Sequence, residues 1–419
     1  MVREIVHIQI GQCGNRIGSR FFEMIANEHL IHGTNYGCSD DYLYGIKTYY
    51  NENIYNEYEP RAISFGYDPS DLSKVFTGEN PQIYIYNYEY EDKKMSFFKD
   101  NWAHSYYFNE YEDSGNKLDI IRKEVEKCDC LQGFQLVHSC SGGIGSGLSS
   151  YIIENVRDEY PDRKIITYSV FPSQELSESL LEPYNFILTI PYLLNFVDEV
   201  ICIDNEAVFN IYSDYMKSKS VSYGDLNYLI SLMMSNFSCP FRFKNQVNSD
   251  LNRTVMNLVS FPKFHFIIPS LSTIVSRGST NHYNFKTKDL VSNLFNCKTF
   301  FADCDMKNSV YLDATAQFRG NFSLNQIGEE FKKIEIPEIP NFKISACQNY
   351  CYSLPKTSSL FFNSPAINDV FCRINSYFQK YYEKRPFMHL FHNEGLGLYD
   401  FDESYEVMNE LISLYKNIE

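Results

Sequence analysis

Hydrophobic positions near the amino terminus change from a continuous run to a helical spacing. The first ten residues predict a short buried strand, and residues 11–30 then carry apolar side chains on one helical face. Gly11 separates the two elements. A strand that passes into a helix through a glycine is typical of the opening unit of a nucleotide-binding fold.

The same order of elements recurs over the first half of the chain. We predict strands at 133–140, 164–171 and 200–204, a helix at 148–160 and a further helix after residue 204. This alternation predicts an α/β domain with a doubly wound parallel sheet over 1–205. Irregular loops are expected over 32–60 and 79–112, which are rich in Asn and Tyr.

A helical pattern at 224–238 is long enough to act as a spine between two domains. After it, an α+β pattern has strands at 264–270, 310–320, 342–347 and 358–363 and helices at 287–296 and 323–333. Two amphipathic helices are predicted at 367–384 and 401–419. The expected organisation is a nucleotide domain at 1–205, the spine helix with an intermediate domain at 206–380, and a C-terminal helical region at 381–419.

Composition excludes several classes of protein. The 419 residues include 37 Lys and Arg against 53 Asp and Glu, and the net charge of −16 argues against nucleic acid as a partner. No secretory signal is predicted, and no run approaches the roughly 18 apolar residues of a membrane helix. The 12 cysteines are scattered, which favours reduced thiols in the cytosol. Neither close pair, Cys128 with Cys130 or Cys347 with Cys351, has the spacing of a zinc site.

The strongest local motif is the glycine-rich segment from Ser141 to Gly147, between a predicted strand and a predicted helix. Glycines let backbone N–H groups converge, and the positive end of the following helix favours a phosphate. The segment has no Walker lysine and lacks the Rossmann spacing. A flexible turn that binds nothing remains the alternative on this stretch alone.

Two other motifs are weaker. Gly11-Gln12-Cys13-Gly14-Asn15 lies at a strand-to-helix junction, and Cys13 fits a packed thiol better than a nucleophile. Asn205 follows a strand, and Tyr223 and Asn227 open the spine helix. Asn amides can recognise a purine and a Tyr ring can stack on it. Helix capping is the competing interpretation for Asn205 and for Asp225.

Taken together, these stretches resemble the tubulin family over nearly the whole chain. The matching segments are MVREIVHIQIGQCGNRIG, KCDCLQGFQLVHS with SGGIGSG, LLEPYN, CIDNEA, YGDLN, FPKFHF, SRGS and AQFRG. Within the family the chain is most similar to β-tubulins and is a divergent one. Arg253 stands where β chains have a basic residue and α chains have the catalytic glutamate. The resemblance implies a GTPase domain of tubulin type.

The resemblance also implies roles for individual residues. The implied nucleotide-binding set is Gln12, Cys13, Asp100, Asn101, Ser139, Gly142, Gly143, Ile144, Gly145, Glu178, Glu182, Asn205, Tyr223 and Asn227. Asp68 and Gln12 are implied at the metal, while no catalytic residue is expected in this chain. Asn248, Asp250 and Arg253 correspond to the loop that faces the next subunit, and Ser276, Arg277, Gly278 and Ser279 to the lateral loop.

Several positions depart from the family pattern. Ile144 replaces a Thr, so a hydroxyl contact to phosphate is missing. Asp100 stands where the first of two paired asparagines is usual, and a carboxylate there would repel a phosphate unless a cation intervenes. The connection at 331–341 is shorter than in β-tubulins, and the sequence ends at Glu419 without an acidic tail.

The resemblance implies a β-tubulin-like subunit that binds GTP or GDP with Mg²⁺ and pairs with an α-tubulin-like partner. Such subunits polymerise head to tail into microtubules, and the neighbouring subunit completes GTP hydrolysis. Microtubule-associated proteins are further expected partners, in the cytoplasm and cytoskeleton. The alternative is a degenerate tubulin that binds nucleotide but serves as a cap or specialised-filament component. A metabolic nucleotide enzyme is disfavoured, because no nucleophile cluster accompanies the glycine loop.

Overall fold

The structure is a computed structural model. It describes residues 3–31, 45–54, 57–66, 87–88, 100–111, 116–174, 176, 179–216, 221–243, 250–274, 285–306, 309–333, 339–347, 354 and 356–418. The strands are β1 (Glu4–Ile10), β2 (Tyr50–Glu52), β3 (Tyr58–Pro60), β4 (Ala62–Phe65), β5 (Asn87–Tyr88), β6 (Leu131–Ser139), β7 (Lys164–Phe171), β8 (Glu199–Asp204), β9 (Phe266–Leu271), β10 (Asp313–Gly320), β11 (Asn341–Cys347) and β12 (Lys356–Asn363).

The α-helices are α1 (Gly11–Glu28), α2 (Trp102–Tyr111), α3 (Asn116–Glu126), α4 (Ser149–Glu159), α5 (Glu182–Phe196), α6 (Asn205–Met216), α7 (Tyr223–Arg242), α8 (Leu251–Leu258), α9 (Thr287–Leu294), α10 (Leu324–Lys333), α11 (Asn368–Lys384), α12 (Met388–His392) and α13 (Leu398–Lys416). Short 3₁₀ turns lie at Ile46–Thr48, Cys297–Thr299 and Pro365–Ile367. None of the helices in the described part of the chain is long and apolar enough to cross a membrane.

One sheet of ten strands runs through the molecule in the order β11-β10-β12-β9-β8-β7-β6-β1-β4-β5. The pairs from β5 to β9 are parallel, and β12 is antiparallel to both of its neighbours. The two halves of the chain join where Val200 of β8 pairs with Phe266 of β9. The predicted α/β fold with a doubly wound parallel sheet is therefore confirmed, and the second half continues the same sheet.

Helices cover both faces of this sheet. Ile5 of β1 points to the face covered by α1 and α7, whereas Val6 points to the opposite face, which α4, α5, α11 and α13 cover. The alternation follows from the two-residue period of a strand. A sheet buried on both sides explains why its parallel strands are apolar almost throughout.

The prediction of loops over 32–60 and 79–112 is wrong where the structure describes these ranges. A hairpin of β2 and β3 lies in the first range, and α2 occupies 102–111 in the second. Stacking across one helical turn, with 4.7 Å between the rings of Trp102 and Tyr106, stabilises α2. Its many polar and aromatic residues conceal the helical period. The domain limits at 205 and 380 stay predictions.

Candidate functional site

A cavity of about 710 Å³ opens at the carboxyl ends of the central parallel strands. Ile10, Gly66, Ser139, Pro172 and Asn205 lie on its rim, directly after or at the ends of β1, β4, β6, β7 and β8. In open α/β sheets, this edge is where ligands bind. The other described residues that line the cavity are Gly11, Gln12, Cys13, Asn15, Arg16, Asp100, Ser141, Gly142, Gly143, Ile144, Gly145, Ser173, Leu176, Ser179, Glu182, Tyr223 and Asn227.

The glycine-rich loop after β6 forms one end of the cavity. It passes through a single π-turn, Ile144–Leu148, into α4. A Cβ on Gly143 would lie 2.4 Å from the backbone nitrogen of Asn101, so glycine is required for this close approach. The backbone of the loop is thereby packed directly against the turn at 100–101.

Buried polar contacts hold this loop in place. His138 Nδ1 lies 3.0 Å from the carbonyl oxygen of Gly145, and its Nε2 lies 2.8 Å from Ser169 Oγ. Because the carbonyl can only accept, Nδ1 carries the proton and donates. Burial lowers the pKa of His138 to about 4, so the ring is neutral near pH 7. On the other side of the loop, the Ser139 and Ser141 hydroxyls lie 2.6 Å apart.

The starts of several helices converge on the cavity, and they differ in how they are capped. No described side chain caps the first turn of α1 or the helical turn Ile144–Leu148 that leads into α4, both at the end formed by the glycine-rich loop. Uncapped N–H groups and the helix dipole favour an anion. By contrast, Asp204 Oδ1 accepts from the backbone N–H of Glu206 in α6, and Ser222 with Asp225 forms a capping box on α7. These two helix starts need no anionic ligand.

The end of the cavity between α6 and α7 gathers the polar and aromatic side chains expected to recognise a base. Asn205, Tyr223 and Asn227 all line it, and the Tyr223 side chain is 49% exposed. The capping interpretation holds for Asp225, but not for Asn205, because Asp204 is the residue that caps α6. Asn205 therefore lines the cavity without capping α6.

Asp100 lines the cavity, whereas Asn101 does not. The Asn101 side chain is buried, with Oδ1 accepting from the backbone N–H of Ala103 and Nδ2 donating to the carbonyl oxygen of Leu390. The proposed contact between the Asn101 amide and a nucleotide therefore has no support from its placement. Its role in the structure is to start α2.

Sequence reasoning missed Asn185 of α5, which ties two sides of the site together. Its Nδ2 lies 2.6 Å from the Asp100 carbonyl oxygen and 2.8 Å from that of Ser141, and its Oδ1 accepts from the backbone N–H of Trp102. The side chain is fully buried. The one signal for Asn185 in the sequence was its position in the segment LLEPYN, shortly after Glu182, which was itself predicted to bind the nucleotide.

Cys13 is a packed thiol. Burial raises its pKa to about 12, although the nearby charge of Arg16 acts in the opposite direction. A thiol that stays protonated near pH 7 is a poor nucleophile. The interpretation of Cys13 as a packing residue at the cavity wall is thus the better one.

The described residues show no cluster of three or more His, Cys, Asp or Glu side chains that could hold a metal by itself. Gln12 is exposed at the cavity, and its amide oxygen suits a hard cation that is shared with phosphate oxygens. Asn15 Oδ1 is buried and has no hydrogen-bond partner among the described residues.

Several predicted site residues lie outside the described part of the chain. These are Asp68, Glu178, Asn248, Ser276, Arg277, Gly278 and Ser279. Asp250 and Arg253 are described: Asp250 caps α8 by accepting from the backbone N–H of Arg253 at 2.8 Å, and it also pairs with Arg3.

Comparison with known proteins identifies the family. The Tubulin/FtsZ family, GTPase domain, matches residues 4–213, and the Tubulin C-terminal domain matches residues 262–376. The chain is 38% identical over 430 aligned positions to a protein described as "Tubulin beta chain, nucleomorph" from Guillardia theta, covering 99% of this chain and 96% of that one. A GTPase domain of this type implies guanine nucleotide binding. The chain belongs to the tubulin family, as a divergent β-tubulin.

Proposed function

We propose that the cavity binds GTP or GDP with the phosphates against the loop at 141–145 and the guanine between α6 and α7. The observation that carries this orientation is the difference in capping. At the glycine-rich end, α1 and the turn Ile144–Leu148 have no side-chain cap, whereas side chains of Asp204, Ser222 and Asp225 cap α6 and α7. Asn205 and Asn227 then supply amides to the base edge, and Tyr223 supplies a ring for stacking.

Mg²⁺ is proposed to accompany the phosphates, with Gln12 and Asp68 as ligands from this chain. The oxygen of the Gln12 amide, at the glycine-rich end of the cavity, fits a hard cation. When bound, the ion neutralises phosphate charge. A cation there also offsets the repulsion between phosphate and the carboxylate of Asp100, which also lines the cavity.

We propose further that the chain pairs with an α-tubulin-like subunit and polymerises head to tail into microtubules. Arg253 on α8 carries a guanidinium group, which does not serve as a general acid or base on a neighbour's nucleotide. The acidic residue that completes hydrolysis of this chain's own GTP is proposed to come from the partner. Met256 on the same helix and Phe261 shortly after it are 66% and 60% exposed, and they provide apolar surface for the contact with the partner. A head-to-tail contact is heterologous and generates filaments.

The expected setting is the cytoplasmic cytoskeleton, with microtubule-associated proteins as additional partners. A second candidate is a nucleotide-binding cap or specialised-filament subunit with little polymerisation or hydrolysis. Asp100 and Ile144 favour it, because the cavity has an added carboxylate and an apolar side chain at the proposed phosphate end.

Two measurements test these proposals. Chromatography of the nucleotide released from the purified protein should show a guanine nucleotide, and recovery of an adenine nucleotide or of none contradicts the binding proposal. Turbidity and electron microscopy of the protein with α-tubulin and GTP should show filaments. Absence of filaments where ordinary β chains assemble would favour the cap.

A further inference from the structure

Arg373 of α11 reaches three carboxylates around the start of α6. Its guanidinium contacts Asp204 Oδ2 through Nη2. Its Nη1 lies 3.3 Å from Asp303 Oδ2 and 3.9 Å from Glu206 Oε2. A planar guanidinium can span such a set, because its donors point in fixed and different directions.

The central member of this set, Asp204, is fully buried at the end of β8. Burial raises its pKa above the ordinary value, and Arg373 opposes that rise. Asp204 Oδ1 meanwhile accepts from the backbone N–H of Glu206 at 3.1 Å, which fixes the first turn of α6. The ion pair and the helix cap therefore share one carboxylate.

Asn205, which lines the cavity, lies in the chain between Asp204 and Glu206, two of the three acidic residues that Arg373 contacts. Glu206 also connects to a second part of the cavity wall, because Ser173 Oγ donates to its Oε2 at 3.2 Å. The same Ser173 Oγ accepts from the backbone N–H of Leu176 at 3.4 Å. Asn205, Ser173 and Leu176 all line the cavity, whereas Arg373 does not.

We infer that Arg373 is a positioning residue for base recognition: from outside the cavity, it fixes the start of α6 and thereby the orientation of Asn205 toward a purine. This inference depends on the proposed guanine site between α6 and α7. It also connects α11, which lies about 160 residues further along the chain, to the nucleotide indirectly, through the start of α6. Supporting residues of this kind hold a binding side chain within the narrow range of geometry that recognition needs.

The test is the ratio of affinities for GDP and for inosine diphosphate, which lacks the 2-amino group of guanine. Both nucleotides are titrated calorimetrically into the full-length protein and its Arg373→Lys and Arg373→Met variants. A lysine keeps the charge but cannot contact all three carboxylates. We expect the preference for GDP to fall by about threefold in Arg373→Lys and by about tenfold in Arg373→Met, the range for one lost hydrogen bond.

Arg157→Met is the matched control. Arg157 pairs with Asp198 at a similar degree of burial, and it does not line the cavity. Its loss should lower thermal stability without changing the ratio of affinities for GDP and inosine diphosphate.

If Arg373→Lys and any folded Arg373→Met protein bind both nucleotides more weakly but with an unchanged ratio, Arg373 is only structural and the inference is overturned. Should Arg373→Met fail to fold, the ratio in Arg373→Lys decides alone. Failure of the unsubstituted protein to bind GDP, or to prefer it, would instead overturn the proposed site itself.

Discussion

The carboxylate of Glu28, at the end of α1, lies 2.7 Å from the guanidinium of Arg242, at the end of α7, and both side chains are fully buried. Arg319 of β10 makes a second ion pair with the same carboxylate at 3.0 Å. Burial alone would raise the pKa of Glu28, but Arg319 and Arg242 lower it well below its ordinary value. Since α1 and α7 both begin at the cavity, this triad fixes their far ends to the second half of the sheet.

We expect Glu28→Gln to destabilise the protein by about 3–5 kcal/mol, because two buried guanidinium groups lose their shared counter-charge. Denaturant unfolding at pH 7 measures this. Glu159→Gln is the control, since Glu159 pairs with Arg122 at the surface and its loss should not shift the unfolding midpoint. A Glu28→Gln protein as stable as the parent would mean that the triad contributes no net stability.

The glycine-rich loop offers a comparison of two adjacent residues. A Cβ on Gly143 would lie 2.4 Å from Asn101 N and 2.6 Å from Asp100 C, whereas a Cβ on Gly142 would meet no atom of the described residues within 4 Å. Gly143→Ala must therefore displace backbone, at a cost of about 1–3 kcal/mol, and should weaken GDP binding. Gly142→Ala should leave stability unchanged. Equal effects of the two substitutions on thermal unfolding would contradict the close packing of Gly143 against the turn at 100–101.

Local sequence patterns predict what depends on neighbours in the chain. The strands β6, β7 and β8 were identified from their apolar runs, and the glycine-rich loop from its composition. The interactions that assemble the site join distant segments of the chain. Asn185 donates to Asp100 and Ser141, at sequence separations of 85 and 44 positions, and Arg319 donates to Glu28 across 291 positions. The spacing of apolar residues does not predict such pairs. A buried Arg and a surface Arg are identical in a hydropathy pattern, so the triad could not be predicted.

The carboxylate of Asp100 provides a test of the proposed phosphate end. Its backbone carbonyl is held by Asn185, so Asp100→Asn should remove the charge without moving the turn. A carboxylate near the γ-phosphate disfavours GTP more than GDP. For two charges that are partly screened by solvent, the repulsion lowers the affinity for GTP by about 1 kcal/mol. We therefore expect the variant to shift the affinity ratio about fivefold toward GTP. Asp158→Asn, on the exposed side of α4, should leave the ratio unchanged, and the same null result for Asp100 would place its carboxylate away from the γ-phosphate.

Glu199 gives the protein a pH dependence with a definite sign. Its side chain is fully buried in β8, and neither carboxylate oxygen has a hydrogen-bond partner among the described residues. Burial, with a smaller contribution from the charge of Asp198, raises the pKa of Glu199 to about 8. The folded protein therefore keeps this group protonated up to a pH at which the unfolded chain has already lost the proton.

A raised pKa makes the contribution of Glu199 to stability complete below its unfolded pKa of about 4.5 and progressively smaller up to pH 8. At pH 7, the proton uptake needed for folding costs roughly 3 kcal/mol. Glu199→Gln has no such requirement, so the variant should gain stability relative to the parent as the pH rises from 5 to 8. Burial lowers the pKa values of His7 and His138 to about 3 and about 4, so these two residues make the folded protein less stable as the pH falls below 6.5. Both proteins contain them, and their effect therefore cancels in the difference. Chemical denaturation at each pH gives the difference directly, and two parallel stability curves would show that Glu199 is ionised in the folded protein.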